Sequence, residues 1–187
     1  MSSIMDPPEV SGLTRQELAR RWAELSSDPV LAGLPYRMEL NRWGHVEMTP
    51  PASPTHMSRA SALVQMLQDL LGNGRAFTEC AIATGAGIRV ADVVWCSPMY
   101  LERHREALAG WAASLPQAPE ICIEVLSPSN LPAEMREKAQ FYVTAGAREA
   151  WLVFSDGRIE VHGPAGVCAE SELVPGIVEI GQRLLRL

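Results

Sequence analysis

The first hydrophobic pattern along the chain has the period of a helix. Leu18, Trp22 and Leu25 recur at intervals of four and three residues, which predicts an amphipathic helix at about residues 14–26. Residues 1–12, which precede it, are polar and contain two prolines. We therefore expect them to form a flexible lead-in to the folded part of the chain.

The longest helical pattern begins at Ser53, an N-cap residue followed by proline, and ends before Gly72. Its hydrophobic stripe consists of Ala60, Leu63, Val64, Leu67, Leu70 and Leu71. A further helix is predicted between Pro132 and Gly146, and a helical stretch is predicted over residues 99–113. Predicted strands separate these helices along the chain.

Alternating and continuous apolar runs predict those strands. Residues 36–49 alternate apolar and polar positions on both sides of a turn near Trp43 and Gly44, which indicates a β-hairpin. Further strands are predicted in RAFTECAI, IRVADVVW and EICIEVLS, in a hairpin of EAWLVFS and RIEVH, and at residues 167–173. This order favours an α/β or α+β fold, a sheet with a helix on each face, in a single domain of residues 13–187.

The composition is that of an ordinary globular protein. Hydrophobic residues make up 47 % of the 187 residues, and neither an apolar signal core nor a run of about 20 apolar residues is present. We therefore expect a cytoplasmic protein that does not associate with membranes. The four cysteines, Cys80, Cys96, Cys122 and Cys168, form no C-x-x-C pair. They are expected to be small buried hydrophobic residues rather than zinc ligands or disulfides.

The charge narrows the range of functions. With 22 acidic and 16 basic residues, the formal net charge is −6. A protein that coats nucleic acid without sequence preference relies on clustered lysine and arginine, so this class is not favoured. An enzyme that meets nucleic acid at one groove is compatible with the charge, because acidic residues around a divalent cation need not repel the substrate locally.

Two carboxylates lie in runs that should be apolar. The period of two puts Asp92 on the same face as Val90 and Val94, and Glu124 lies within the run ICIEVL. An ionised carboxylate that is left unpaired there costs several kcal/mol, so each needs a partner, a metal ion or a raised pKa. An arginine or backbone N–H groups could satisfy either one alone. Two on separate strands favour a shared divalent cation such as Mg²⁺.

Lys138 is the only lysine among the 16 basic residues. It stands four residues after Glu134 on a predicted helix, so a surface ion pair is the simple interpretation. The alternative is that the site requires the compact charge of an ammonium group, which a guanidinium does not supply. The helix follows directly after the strand of Glu124, so a lysine on its inner side could reach that carboxylate. The spacing leaves both interpretations open.

Four segments resemble, in order, the blocks of the Uma-two family of restriction endonucleases. They are YRMELNRWGHVEMTPPASPTH, VADVVW, PEICIEVLSPSN and EKAQFYVTAGAREAWLVF, and the similarity extends from about Tyr36 to Ile180. The resemblance implies a bacterial protein of the PD-(D/E)XK nuclease-like fold. Its restriction-endonuclease-like core would be a central mixed β-sheet flanked by helices, here with an N-terminal helix and a β-hairpin.

The resemblance also implies a catalytic set. Asp92 and Glu124 would be the catalytic and metal-binding acids, and Lys138 the catalytic lysine, supplied from the helix after the strand. Leu126 occupies the place, two residues after the acid, where the lysine of this motif usually stands. Ala91 replaces the proline expected before the aspartate, which is a change in backbone shape and not in a ligand.

The implied reaction is hydrolysis of phosphodiester bonds in DNA with Mg²⁺ or Mn²⁺. His56 also matches the family pattern, although a solvent-exposed residue in the first helical turn is the alternative. Glu39 and Glu79 are further candidates for contacts at the site. Two other functions stay open, a catalytically inactive nuclease-like domain that binds nucleic acid or protein, and a hydrolase of smaller phosphoesters. A homodimer is compatible with cutting both strands.

Overall fold

Eight strands form a mixed sheet in the computed structural model, which describes residues 12–110, 113–178 and 181. They are β1 (Arg37–Asn41), β2 (Val46–Thr49), β3 (Arg75–Thr84), β4 (Gly87–Cys96), β5 (Ile121–Val125), β6 (Glu149–Val153), β7 (Ile159–Gly163) and β8 (Gly166–Cys168). They lie in the order β2-β1-β4-β5-β6-β7-β8, and β3 pairs with β4. β5 and β6 are parallel, whereas the other neighbours are antiparallel. The predicted mixed sheet is confirmed.

Helices precede, interrupt and follow these strands. They are α1 (Arg15–Ser26), α2 (Pro29–Ala32), α3 (Pro54–Leu71), α4 (Pro98–Arg103), α5 (Arg105–Ala109) and α6 (Pro132–Thr144). The first predicted helix is therefore present, while residues 1–11 of the predicted lead-in lie outside the described residues. The helical stretch expected over residues 99–113 is instead two short helices. The backbone leaves helical geometry at His104, whose ring lies 4.3 Å from that of the buried Tyr100. Residues 111 and 112 also lie outside the described parts.

The N-terminus of α3 begins as predicted. The Ser53 hydroxyl accepts a hydrogen bond from the N–H of His56 at 3.2 Å, and Pro54 occupies the first helical position. Gly72 ends the helix with a φ of +62°. Leu70, which was expected in the buried stripe, is 51 % exposed. The cap places His56 in the first turn of α3.

The helices α3 and α6 cover opposite faces of the sheet. Leu63 and Leu67 of α3 are fully buried in the same cluster as Val93. Tyr142 of α6 is fully buried in another cluster, which contains Val94. Because successive strand residues face opposite sides of a sheet, the two helices lie on opposite faces of β4. Side chains from both helices can therefore reach the same central strands.

A buried carboxylate holds the segment after β8, where a strand was predicted over residues 167–173. β8 ends at Cys168, and the Glu149 side chain holds the segment that follows. It accepts hydrogen bonds from Trp151 Nε1 (2.7 Å), Ser171 Oγ (2.6 Å) and the backbone N–H groups of Glu172 (2.7 Å) and Leu173 (3.1 Å). These four bonds replace a strand ladder, which explains why the strand is shorter than expected.

We expect Glu149→Ala to lower the free energy of unfolding by about 3 kcal/mol, because several buried donors lose their acceptor at once. Urea denaturation followed by tryptophan fluorescence measures this change. Glu172→Ala is the matched control, since its carboxylate is 86 % exposed and should contribute less than about 0.5 kcal/mol. Equal effects of the two substitutions on the free energy of unfolding would contradict a stabilising role of the Glu149 carboxylate.

All four cysteines are free thiols. Cys96 and Cys122 are buried, and Cys80 and Cys168 are partly exposed. Within the described residues, no helix has the length and hydrophobicity that would be needed to cross a membrane.

Candidate active site

The central strands β3 and β4 lose their regular alternation at the level where Glu79 stands opposite Asp92. The ladder has regular pairs on both sides of this level, and Glu79 adopts a left-handed φ of +54°. Ala91 and Val94 belong to the same hydrophobic cluster although they are three residues apart, and Val90 belongs to another. The expectation that Asp92 shares one face with Val90 and Val94 is therefore wrong, because the irregularity reverses the alternation there.

Asp92 lies at the point where β4 and β5 stop pairing. The last ladder pair at this end is that of Val93 with Ile123. Beyond it the Asp92 side chain, which is 2 % exposed, accepts a hydrogen bond on Oδ2 from the Val125 N–H at 2.7 Å. His56 Nε2 lies 2.9 Å from the same oxygen. The carboxylate is thus held by a strand on one side and by the first turn of α3 on the other.

Arg37 provides the charge that faces Asp92. Its Nη1 lies 2.8 Å from Asp92 Oδ1, and its Nε lies 2.9 Å from the Glu79 carboxylate. The Glu79 side chain is about half exposed, at 49 %, whereas that of Asp92 is buried. Arg37 therefore connects a buried carboxylate with one that reaches solvent.

Lys138 reaches the second buried carboxylate from the following helix. Its Nζ lies 3.0 Å from Glu124 Oε1 and 2.8 Å from Glu39 Oε1, and it donates a hydrogen bond to the Val90 carbonyl at 3.2 Å. The Tyr142 hydroxyl donates to the same Glu124 oxygen at 2.6 Å. Lys138 is therefore turned inward from α6 and does not rely on Glu134, which is exposed.

The backbone of Val90 joins the two halves of the site. Its carbonyl accepts hydrogen bonds from Lys138 Nζ and, at 3.4 Å, from Arg37 Nη2. Its N–H donates to Glu39 Oε1 at 2.8 Å. Because Arg37 and Glu39 are two residues apart on β1, they lie on the same face of that strand. One strand thus contributes a group to each half.

The structure brings all six residues that were predicted for the site into this network. They are Asp92, Glu124, Lys138, His56, Glu39 and Glu79. Their contacts are structural observations, whereas their roles in catalysis and metal binding stay predictions.

The sequence analysis missed two residues of this network, Arg37 and Tyr142. Tyr142 is fully buried, and its hydroxyl donates a hydrogen bond to Glu124. The signal for Arg37 was its alternation with Glu39 on the polar face of the first hairpin strand. The pattern alone does not show which strand lies beside that face.

Burial and neighbouring charge change the proton affinity of Glu124 and Lys138. Burial raises the pKa of Glu124 to about 7 against the effect of the Lys138 ammonium, and the charges of Asp92 and Glu39 contribute to the rise. Burial alone would lower the pKa of Lys138, but Glu124 and Glu39 raise it above its ordinary value. Lys138 is therefore an ammonium cation at neutral pH.

Asp92 and His56 form a second coupled pair. Burial alone would raise the pKa of Asp92, but its hydrogen bond with His56 and the charge of Arg37 lower it below its ordinary value. The same hydrogen bond raises the pKa of His56, against the effect of partial burial. Asp92 is thus ionised at neutral pH, as a metal ligand must be.

The two buried carboxylates fit a hard cation such as Mg²⁺ or Mn²⁺ better than a zinc ion, which favours nitrogen and sulfur ligands. No group of three or more His, Cys, Asp or Glu side chains is arranged to hold a metal in the parts of the chain that are described. Mg²⁺ requires only one or two carboxylates, together with waters and substrate oxygens. Asp92 Oδ1 is a buried acceptor that receives no hydrogen bond from the described residues, although Arg37 Nη1 is close to it. Burial is the main cause of the raised pKa of Glu124, and a bound cation would offset the cost of ionising that carboxylate.

Comparison with known proteins is consistent with this geometry. A family model described as "Putative restriction endonuclease" (Uma2) matches residues 22–178. The crystal structure of a putative nuclease from Anabaena variabilis superimposes with a TM-score of 0.60 at 18 % identity, over 83 % of this chain and 94 % of the other. At that identity the similarity shows the fold alone, and it confirms the predicted restriction-endonuclease-like architecture. No protein with a curated description matches significantly. The chain belongs to the Uma2 family, the family that its sequence resembles.

Proposed function

We propose that the protein hydrolyses phosphodiester bonds in DNA and that Asp92 and Glu124 hold the Mg²⁺ or Mn²⁺ that the reaction requires. The observation that carries the proposal is the position of Lys138, whose Nζ lies 3.0 Å from Glu124 although it comes from a different element. Membership of a family described as restriction endonucleases supports a nucleic-acid substrate. A bound divalent cation would lower the pKa of a water molecule and neutralise charge on the phosphate.

The residues around the two carboxylates position them for that cation. The Val125 N–H and His56 hold one oxygen of Asp92, which leaves Oδ1 turned towards Arg37. Tyr142 and Lys138 hold one oxygen of Glu124. Such neighbours restrict the orientation of a ligand before substrate arrives, which is how a preorganised site lowers its reorganisation cost.

The proposed role of Lys138 follows from its charge. Because it stays protonated at neutral pH, it cannot take a proton from the attacking water. It can instead donate a hydrogen bond to that water or to a phosphate oxygen, and so stabilise the negative charge of the transition state. We assign it this electrostatic role.

One observation favours a catalytically inactive binding domain as a second candidate. Arg37 and His56 contact Asp92, and Lys138 contacts Glu124, so both carboxylates have partners without a metal ion. Buried carboxylates with such partners can serve structure alone. The two candidates differ in one measurable property, the response to divalent cations.

Incubation of the purified protein with plasmid, linear duplex and single-stranded DNA tests the proposal. We expect hydrolysis in Mg²⁺ or Mn²⁺ and none in EDTA, and Asp92→Asn protein purified identically is the control for contaminating nucleases. Absence of hydrolysis with every nucleic acid and cation would contradict the proposal. Turnover of bis(p-nitrophenyl) phosphate alone would instead indicate a hydrolase of smaller phosphoesters.

A further inference from the structure

A pocket of about 450 Å³ opens beside Asp92. Part of its wall is formed by Arg37, His56 and Glu79, the first two of which contact Asp92. Another part is apolar or aromatic and includes Tyr36 and Met57. The pocket therefore continues from the proposed reaction centre, but its apolar wall takes no part in the chemistry described above.

The apolar wall of the pocket exposes hydrophobic side chains that a ligand could bury. Tyr36 is 53 % exposed and Met57 is 54 % exposed, and they come from two different elements, the segment before β1 and the first turn of α3. An aromatic ring and a thioether in the lining of one pocket provide surface on which a flat aromatic ligand can stack. Thr78 and Ser61 add hydroxyl groups to the lining, which can bond the polar edge of such a ligand.

The size and the charge of the pocket identify the class of ligand. Its volume lies in the range of about 300–1,000 Å³ that is typical of sites for small molecules, and one nucleoside is a ligand of that size. The Arg37 guanidinium and the His56 imidazole lie between the apolar wall and Asp92, where the phosphate of that nucleoside would stand.

The overall charge also favours a ligand that binds through its bases. With a formal net charge of −6, the protein cannot draw much affinity from long-range attraction to the phosphate backbone. Stacking of bases on aromatic side chains provides affinity that does not depend on clustered basic residues. A substrate with exposed bases would therefore be bound better than a duplex, in which the bases are paired and stacked on one another.

We propose that this pocket binds an unpaired nucleobase of single-stranded DNA, next to the phosphate at the Asp92 centre. The inference rests on the proposed function and specifies its substrate as a strand with unpaired bases. Tyr36 is the stacking residue.

Binding without catalysis tests the inference. Fluorescence anisotropy in EDTA would compare a labelled 12-nucleotide oligothymidylate with a strand of equal length made only of abasic residues, which carries the same phosphates. We expect wild-type protein to bind oligothymidylate about tenfold more tightly than the abasic strand, because one stacked base is worth about that factor. A duplex of the same length should bind as weakly as the abasic strand.

Substitution of Tyr36 assigns the effect to the pocket. Tyr36→Ala should reduce the affinity for oligothymidylate to that for the abasic strand. Tyr36→Phe, which keeps an aromatic ring, should retain most of the wild-type affinity. Met99→Ala is the control, since Met99 is 69 % exposed and does not line the pocket. Equal affinities of wild-type protein for the two strands, or equal effects of Tyr36→Ala and Met99→Ala, would overturn the inference.

These outcomes are distinct from those that test the reaction. Because the binding is measured in EDTA, a protein that binds oligothymidylate through Tyr36 but cleaves nothing in Mg²⁺ would contradict the proposed hydrolysis and support the pocket. A protein that cleaves duplex and single strands equally, without a contribution from Tyr36 to binding, would support the hydrolysis and overturn the inference about the pocket.

Discussion

Lys138→Arg is expected to slow the hydrolysis of DNA by at least about 100-fold while the protein remains folded, because removing one positioned donor to the charge of the transition state typically costs about 10²–10³-fold. The ammonium lies within 3.2 Å of three acceptors, Glu39 Oε1, Glu124 Oε1 and the Val90 carbonyl. A guanidinium keeps the charge, but it is larger and planar and cannot present its donors from the same point. Single-turnover kinetics in Mn²⁺ would measure the rate, and circular dichroism would check the fold.

Glu134→Gln is the matched control for this prediction. Glu134 lies one helical turn before Lys138 and is exposed, so it is the partner that a surface ion pair would require. We expect its substitution to change the rate less than about twofold, in keeping with the small energy of an exposed helical pair. Comparable rate losses in Glu134→Gln and Lys138→Arg, or full activity of Lys138→Arg, would show that Lys138 has no catalytic role.

Glu124→Gln is expected to abolish hydrolysis and yet to stabilise the fold at pH 8, by up to about 3 kcal/mol. Burial raises the pKa of Glu124 from 4.5 to about 7, so the folded protein bears the cost of an ionised, buried carboxylate at pH 8. A neutral amide of the same shape removes that cost. Thermal unfolding at two pH values would measure the difference.

The sign of the pH dependence follows from the same two pKa values. Between pH 4.5 and about 7 the unfolded chain releases the Glu124 proton while the folded protein retains it, so the wild-type protein loses stability relative to Glu124→Gln as the pH rises. Below pH 4.5 the two proteins should be equally stable, and above about pH 7 the difference should be constant. A difference that does not change with pH would contradict a raised pKa.

Magnesium should stabilise the wild-type protein more than Glu124→Gln. A cation that binds only the folded state stabilises it, so Mg²⁺ should raise the melting temperature of wild-type protein at pH 8. It should have little effect on Glu124→Gln, which lacks one of the two ligands. An equal response of both proteins would indicate that Glu124 does not hold the ion.

Much of the fold was predictable because its signals are local. The capping residue Ser53, the stripe of α3 and the alternation of the first hairpin each lie within a short window, where period and propensity determine the element. The prediction of one helix over residues 99–113 was wrong because no proline or glycine marks the break at His104. The last strand was predicted too long because its second half binds Glu149, which is remote in sequence.

The candidate site was predictable in its residue types and less so in its contacts. A carboxylate in an apolar run and a single lysine are visible without coordinates, since burying either group costs free energy that must be offset. The neighbours that offset it are not visible. Arg37 and Glu39 contact groups that lie about 50 to 100 positions away along the chain, on β4 and α6.

The sequence by itself therefore determined most of the elements, the two buried acids and the unusual lysine. Only the tertiary structure decided that Lys138 turns away from Glu134 and binds Glu124 and Glu39. The physical reason lies in the period of a strand, which shows which residues share a face but not which strand is its neighbour. The order β2-β1-β4-β5 places β1 beside β4, and the irregularity at Glu79 and Asp92 sets which side chains of β4 face it.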